Sequence, residues 1–429
     1  MKEKFIRSAL LLMIGGFLTK ILGMIIKIVI SRMIGTEGLG MYMLILPSFM
    51  LFIYLGQLGL PLALSKLIAE DNKNNKNLFF SILPLLLLIN IFLMLFIILI
   101  APFIGNTLLH NKDATFSIMA ISFTIPFTSI SSICRSYFFG KQKMTPHILS
   151  IILEDIVRLG IIFFFLPKVM PYGLKIVVCF LVLSNVFSEL SSIFVLLFFL
   201  PKNIKITKKD LIPNKTYLKE SLSIGLPSTT GRLIGTIGFF LEPIVLTNSL
   251  LNNGYSLTYI TREYGIISGY VMPLILLPSF FSLAISQALL PVIAKEYSLK
   301  NYKTIFKRMN LAIIFSLGIG IPVSILLLIN PAFFLSLIYH TREGISYIKV
   351  LAPICLLEYL QAPLSSCLDG IGKTKDNMKA SIIGMSTRTI LLFLFSFLKI
   401  GIWSYILSLS FNILFTTLYQ ILKVKKYLH

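Results

Sequence analysis

The sequence predicts an all-α polytopic membrane protein of about twelve transmembrane helices in two six-helix bundles. Three observations carry that prediction. The chain has 429 residues, 56% hydrophobic and only 13% charged, with a mean hydropathy of +0.89. A soluble protein of this length has no interior large enough for so much apolar surface. Apolar runs of about 20 residues, the length that crosses a bilayer core, recur along the whole chain. The formal net charge of +22 falls mostly in the short gaps between those runs. There it reads as topology information, and it excludes the nucleic-acid partner that such a charge suggests for a soluble chain.

The apolar runs lie at 5–34, 39–68, 78–105, 115–140, 147–167 and 174–200, and then at 221–249, 263–294, 305–330, 345–371, 378–399 and 401–423. The first run begins like a signal peptide, with the basic stretch MKEKFIR. It continues far past signal length without a small-x-small cleavage site, so it is expected to remain as a helix. The longest polar stretch, 201–220, separates the sixth run from the seventh. The expected organisation is an N-terminal bundle over 1–205, a cytoplasmic linker over 206–220 and a C-terminal bundle over 221–429.

Lys and Arg are distributed unevenly. With those near run ends assigned to the adjoining side, twenty-six lie on the side of the termini and eight on the other, and Lys20, Lys27, Arg158, Arg232 and Arg388 lie within spans. The bias places both termini in the cytoplasm of a multi-pass cell-membrane protein.

The two halves repeat weakly. LPSF at 46–49 returns at 277–280, GKQK at 140–143 returns as GKTK at 372–375, and TKILG at 19–23 pairs with GRLIG at 231–235. Six helices per half give both repeats one orientation, hence a parallel repeat about an axis along the membrane normal. In that pairing Lys20 and Arg232 become equivalent cations on the helix that opens each half.

A lysine at the centre of a membrane helix costs about 2.5–3.5 kcal/mol on insertion scales. Lys20 and Lys27 incur this on one helix, seven residues apart and so on one face. Gly16 and Gly23 lie near that face, and Gly231 and Gly235 flank Arg232. The expected site is a central water-filled cavity lined by Lys20, Lys27 and Arg232, with the four glycines permitting close helix packing or ligand access. Arginine suits phosphate through its bidentate fork, and lysine as a point charge. The competing expectation is charge cancellation by a carboxylate within the membrane: Glu189, Glu242 or Glu358. Glu242 is also a candidate ion-coupling residue, since a membrane-buried carboxylate binds a proton or Na⁺. Glu154 and Arg158, spaced i, i+4, are expected to form a local pair, and Arg388 has no evident partner.

No catalytic signature is present. There is no P-loop or HExxH, the four histidines are scattered, and Cys134, Cys179, Cys355 and Cys367 form no CxxC. Neither an enzyme nor a metal or other cofactor is expected.

The stretches SRMIGTEGLGMYMLILPSF and GLPLALSKLIAED resemble the opening of the stage V sporulation protein B family. RSYFFGKQKMTPHILSIILEDIVR, YGIISGYVMPLILLPSF, ALLPVIAKEYSL and LDGIGKTK extend the resemblance along nearly the whole chain. That family belongs to the polysaccharide-transporter branch of the multidrug/oligosaccharidyl-lipid/polysaccharide exporter superfamily. The resemblance implies a MATE-like pair of bundles working by alternating access, driven by H⁺, Na⁺ or the membrane potential. Its cargo would be a polyprenyl-diphosphate-linked sugar, such as a peptidoglycan precursor for the spore cortex. It also implies membrane lipids and cell-envelope synthases as partners, and it favours cavity cations at Lys20 and Lys27. Such proteins often have fourteen helices where twelve are counted here, which puts the site for the lipid tail in doubt. A cation-coupled multidrug exporter and a scaffold for envelope synthases are the alternatives.

Overall fold

The computed structural model describes residues 2–70, 74–200 and 212–428, with side chains undescribed at 2–13 and 231. The helices are α1 (Lys2–Gln57), α2 (Leu60–Ala69), α3 (Asn75–Pro102), α4 (Lys112–Gly140), α5 (Met144–Val169), α6 (Leu174–Phe198), α7 (Lys215–Asn252), α8 (Leu257–Gly265), α9 (Met272–Ile275), α10 (Ser279–Ser298), α11 (Tyr302–Ile329), α12 (Pro331–Tyr339), α13 (Ile345–Gly370), α14 (Thr374–Ser396) and α15 (Trp403–Leu428). No strand occurs among the described residues, as a chain surrounded by hydrocarbon requires unless it closes a barrel.

Nine helices among the described residues are long and apolar enough to cross a membrane, or ten counting the bent pair formed by Leu257–Ile275 and α10. The twelve expected runs fall on helices, with breaks inside the second and the eighth. α1 carries two of them end to end, and the fifth run is α5. The break between the first two lies at Gly35, whose φ of 66° with ψ of −174° costs a residue with a Cβ about 1–3 kcal/mol. The second run breaks again before α2, where Leu58 and Gly59 both have positive φ. A Cβ on Gly59 would lie 2.4 Å from the Gly225 carbonyl of α7, so the glycine lets the two backbones approach. In the second half, LPSF falls at a 56° bend after a π-helical turn over Ile266–Val271, whereas its first-half counterpart stays helical around Pro47.

The α4–α5 and α13–α14 connections share one turn geometry. Lys141 and Ile371 are the C-caps, Lys143 and Lys373 the N-caps, and Gln142 and Gly372 have positive φ. The structural correspondence is therefore Lys141 with Ile371, an offset of 230. The tetrapeptide match alone, Gly140 with Gly372, gives 232.

The helices pack as two units. One comprises Met1–Ile34 and Ile45–Phe240, the other Gly35–Leu44 and Leu241–His429. Packing thus divides the chain inside α7, downstream of the 206–220 linker, because α7 is one continuous helix that leaves the first unit and enters the second. Part of that linker, 201–211, lies outside the described residues. The first unit is built on Leu60, Leu64, Leu78, Ile82, Leu86, Ile133 and Tyr137. A buried polar contact pins its α3 to α4: Ser129 Oγ donates to Asn90 Oδ1 at 3.1 Å. The second unit is built on Ile293, Ile305, Met309, Leu364, Cys367 and Leu368. Its stretch of α1 packs against α8 with no side chains between, as Gly40 meets Thr261 and Gly265 directly. Thr36 Oγ1 donates to Glu343 Oε2 at 2.9 Å, and Arg262 Nη2 lies 2.5 Å from Glu343 Oε1. Large apolar side chains such as Leu99 and Phe198, each at least 80% exposed, face outward as they do in lipid.

Candidate functional site

Lys20, Lys27 and Arg232 all belong to the first unit and are all exposed. Lys20 and Lys27 share a face of α1, and Lys27 lies in the fields of both Lys20 and Arg158 of α5. Gly15 holds α1 against α5, since a Cβ there would lie 2.4 Å from the Ile148 side chain. The cationic face therefore includes Arg158, which its sequence spacing had placed in a local pair.

Gly16, Gly23 and Gly235 make no close contact with another helix. A Cβ on any of them meets nothing within 4 Å. These positions keep the surface around the cations open, while Gly15, one residue away, makes the helix contact. The side of the helix at Gly231 lies outside the described residues.

The carboxylates expected to cancel these cations are engaged elsewhere. In the first unit, Arg135 of α4 forms ion pairs with Glu154 of α5 and, at 2.7 Å, with Glu189 of α6. Its Nη2 also donates to Ser131 Oγ at 3.1 Å and to Ser192 Oγ at 3.0 Å, and Ser131 donates to Glu189. Glu154, expected to pair with Arg158 along α5, is bound across helices by Arg135 and also lies in the field of Arg158. In the second unit, Glu242 of α7 accepts from Tyr405 Oη at 2.7 Å and from Tyr264 Oη at 3.3 Å. Arg388 Nη2 lies 2.7 Å from Glu242 Oε2 and donates to Tyr405 Oη at 2.8 Å. Arg388, without a partner in the sequence reading, is therefore the counter-ion of Glu242. Glu358 accepts from Gln361 Nε2 at 3.0 Å and lines, with Arg388, Asn412 and Thr416, a cavity of about 200 Å³. Among the described residues no carboxylate pairs with Lys20, Lys27 or Arg232.

Sequence reasoning missed Arg135. It sits five residues before the end of the run 115–140 and was counted with the cytoplasmic loop that follows. Ser131, one turn earlier on the same face, was the available signal that the arginine turns inward to a polar site. No cluster of His, Cys, Asp and Glu suited to a metal ion occurs among the described residues.

A chain whose described residues form helices with bent and merged apolar spans is a multi-pass membrane protein. The polysaccharide biosynthesis protein family model matches residues 5–297, so the chain belongs to that family. A MatE model matches 267–394. Stage V sporulation protein B of Bacillus subtilis (strain 168) is 33% identical over all of this chain and 85% of its own length. Lipid II flippase MurJ of the same organism is 24% identical over 91% of this chain and 77% of its own. Among solved structures, an inward-facing multidrug resistance MATE family transporter of the MOP superfamily superposes with a TM-score of 0.78 at 16% identity, covering 96% of this chain and 94% of its own. Lipid II flippase MurJ in an inward closed conformation gives 0.73 at 17%, covering 96% and 87%. The fold is MATE-like, as the sequence resemblance implied.

Proposed function

We propose that the protein is a flippase that carries a polyprenyl-diphosphate-linked oligosaccharide across the cell membrane by alternating access. One observation carries this reading. Three membrane-level cations, Lys20, Lys27 and Arg232, are exposed and carry no carboxylate partner among the described residues, while Glu189, Glu242 and Glu358 are engaged by other residues. Exposed ammonium and guanidinium groups at that depth are tolerable only against water or a bound anion. A diphosphate offers two charged groups and several acceptors to a face of this kind. The flippase MurJ and stage V sporulation protein B among the relatives support that cargo class, and a peptidoglycan precursor for spore cortex is the specific cargo we favour. Both termini are placed in the cytoplasm, with 1–205 and 221–429 as the repeated halves around the 206–220 linker. No bond of the cargo is made or broken in such a cycle.

The MATE-like fold favours one further reading, a cation-coupled exporter of organic cations with Glu242 as its coupling group. Transport on that reading has Glu242 exchange Arg388 for a proton or Na⁺. Flipping of a fluorescent polyprenyl-diphosphate disaccharide in proteoliposomes separates the two. The flippase reading expects wild type to move the lipid, and Lys20→Ala and Arg232→Ala to fold without moving it. Expulsion of an organic cation with no lipid movement supports the exporter. Full flipping by both variants would show that Lys20 and Arg232 are not the diphosphate site, and movement of neither substrate by wild type would point to a scaffold of envelope synthases.

A further inference from the structure

The first unit has a groove of about 340 Å³ among α3, α4 and α6, lined by no residue of α1. Each helix lines it over a similar stretch. α3 contributes positions from Lys76 to Leu83, α4 from Ile130 to Phe138, and α6 with the turn that follows it from Ile193 to Leu200. Seven residues of helix rise about 10 Å, so the groove runs along the helices, in the direction of a lipid chain in a bilayer. Its floor is aliphatic, with Leu83, Ile130 and Ile193. Its mouth is aromatic: Tyr137 meets Phe79 edge-on with ring centroids 5.9 Å apart. Two ammonium groups stand at that mouth. Lys76 is the second residue of α3, and Lys141 Nζ lies 4.5 Å from the centre of the Tyr137 ring. On the positive-inside count these helix ends meet the inner leaflet, whose anionic lipids attract basic side chains.

We infer that this groove holds one resident anionic phospholipid. An acyl chain lies between α3, α4 and α6, and the phosphate rests on Lys76 and Lys141. Apart from the Cys134 thiol and the Tyr137 hydroxyl the described lining is apolar, with cations at its open end, which fits an amphiphile with an anionic head better than a sugar. The inference rests on the groove alone and stands apart from the transport reading.

The test uses the full chain in nanodiscs of phosphatidylcholine and phosphatidylglycerol, with native mass spectrometry of the lipid retained on release. Wild type should retain one phosphatidylglycerol. Lys76→Ala and Lys141→Ala should each weaken retention about fivefold, the factor for the ~1 kcal/mol one basic residue contributes near an anionic surface. Lys76→Arg should keep the lipid, and Leu83→Trp, which fills the floor, should expel it. The inference is overturned if phosphatidylcholine is held equally well, or if the alanine variants, shown folded by unchanged melting, retain the lipid as wild type does. It is also overturned if equimolar polyprenyl phosphate displaces the phospholipid, since the groove would then be a tail site for the cargo.

Discussion

Glu242 and Tyr405 are 163 residues apart in the chain and share a hydrogen bond in the membrane interior of the second unit. Arg388 completes the triangle, and its guanidinium also lies over the Tyr405 ring, 5.3 Å from the centroid. Neither charge is tolerable there alone. Arg388→Ala should therefore cost about 3–5 kcal/mol of stability, the range for stranding a buried charge. Glu242→Gln with Arg388→Met, which removes both charges, should cost much less, and thermal melting of the purified variants in detergent measures the difference. A melting point as low for the double variant as for the single one would show that the pair is not self-contained. Arg135 poses a harder case, because it joins two carboxylates and two serines. Arg135→Lys keeps the charge and loses the fork that spans them. It should melt between wild type and Arg135→Ala, and a lysine variant no better than alanine would assign the loss to geometry.

At the scale of elements, α1 is one helix in hydrogen bonding and two in direction. Gly35 turns it, and Gly40 docks the middle segment on Gly265. The two glycines do different work, so their substitutions should differ. Gly35→Ala meets no neighbour and should cost about 1–3 kcal/mol from its positive-φ, extended-ψ backbone alone. Gly40→Val would place side-chain atoms inside the Thr261 backbone, where a Cβ already falls 2.2 Å from the carbonyl oxygen. It should expose the outer end of α8 to proteolysis, which Gly35→Ala should leave protected. Equal protection in both variants would count against a docked segment. The same contrast holds around Lys20. Gly15→Leu should separate α1 from α5 and lower melting, whereas Gly16→Ala should leave the fold intact because its surroundings are open.

At the scale of the molecule, orientation follows from charge. Single cysteines placed at residues 3 and 425 in a background lacking the native four should react with an impermeant maleimide only after cells are permeabilised. Cysteines at 112 and 175 should react in intact cells. The reverse pattern would invert the molecule and move the mouth of the α3–α4–α6 groove to the outer leaflet. The division into units is also a molecular property. α7 begins in the unit that holds Lys20 and ends in the one that holds Arg388, so Arg232 and Glu242, ten residues apart on one helix, belong to different packing environments.

Class, family, helical content and the choice of Lys20, Lys27 and Arg232 as unusual residues were legible in the chain, because each rests on local quantities. Apolar length marks a span, charge between spans marks a side, and a cation within a span is anomalous wherever it packs. Partnership was not legible. Glu189 with Arg135, Glu242 with Arg388, and Lys27 in the field of Arg158 join helices whose facing sides no local pattern specifies. A run that is apolar on every side names no inward face, so rotation about each helix axis is set only by packing. Sequence determined that the membrane would hold these charges. The tertiary structure decided which of them cancel and which stay open, since a buried ion pair requires angstrom-scale approach between groups far apart in the chain.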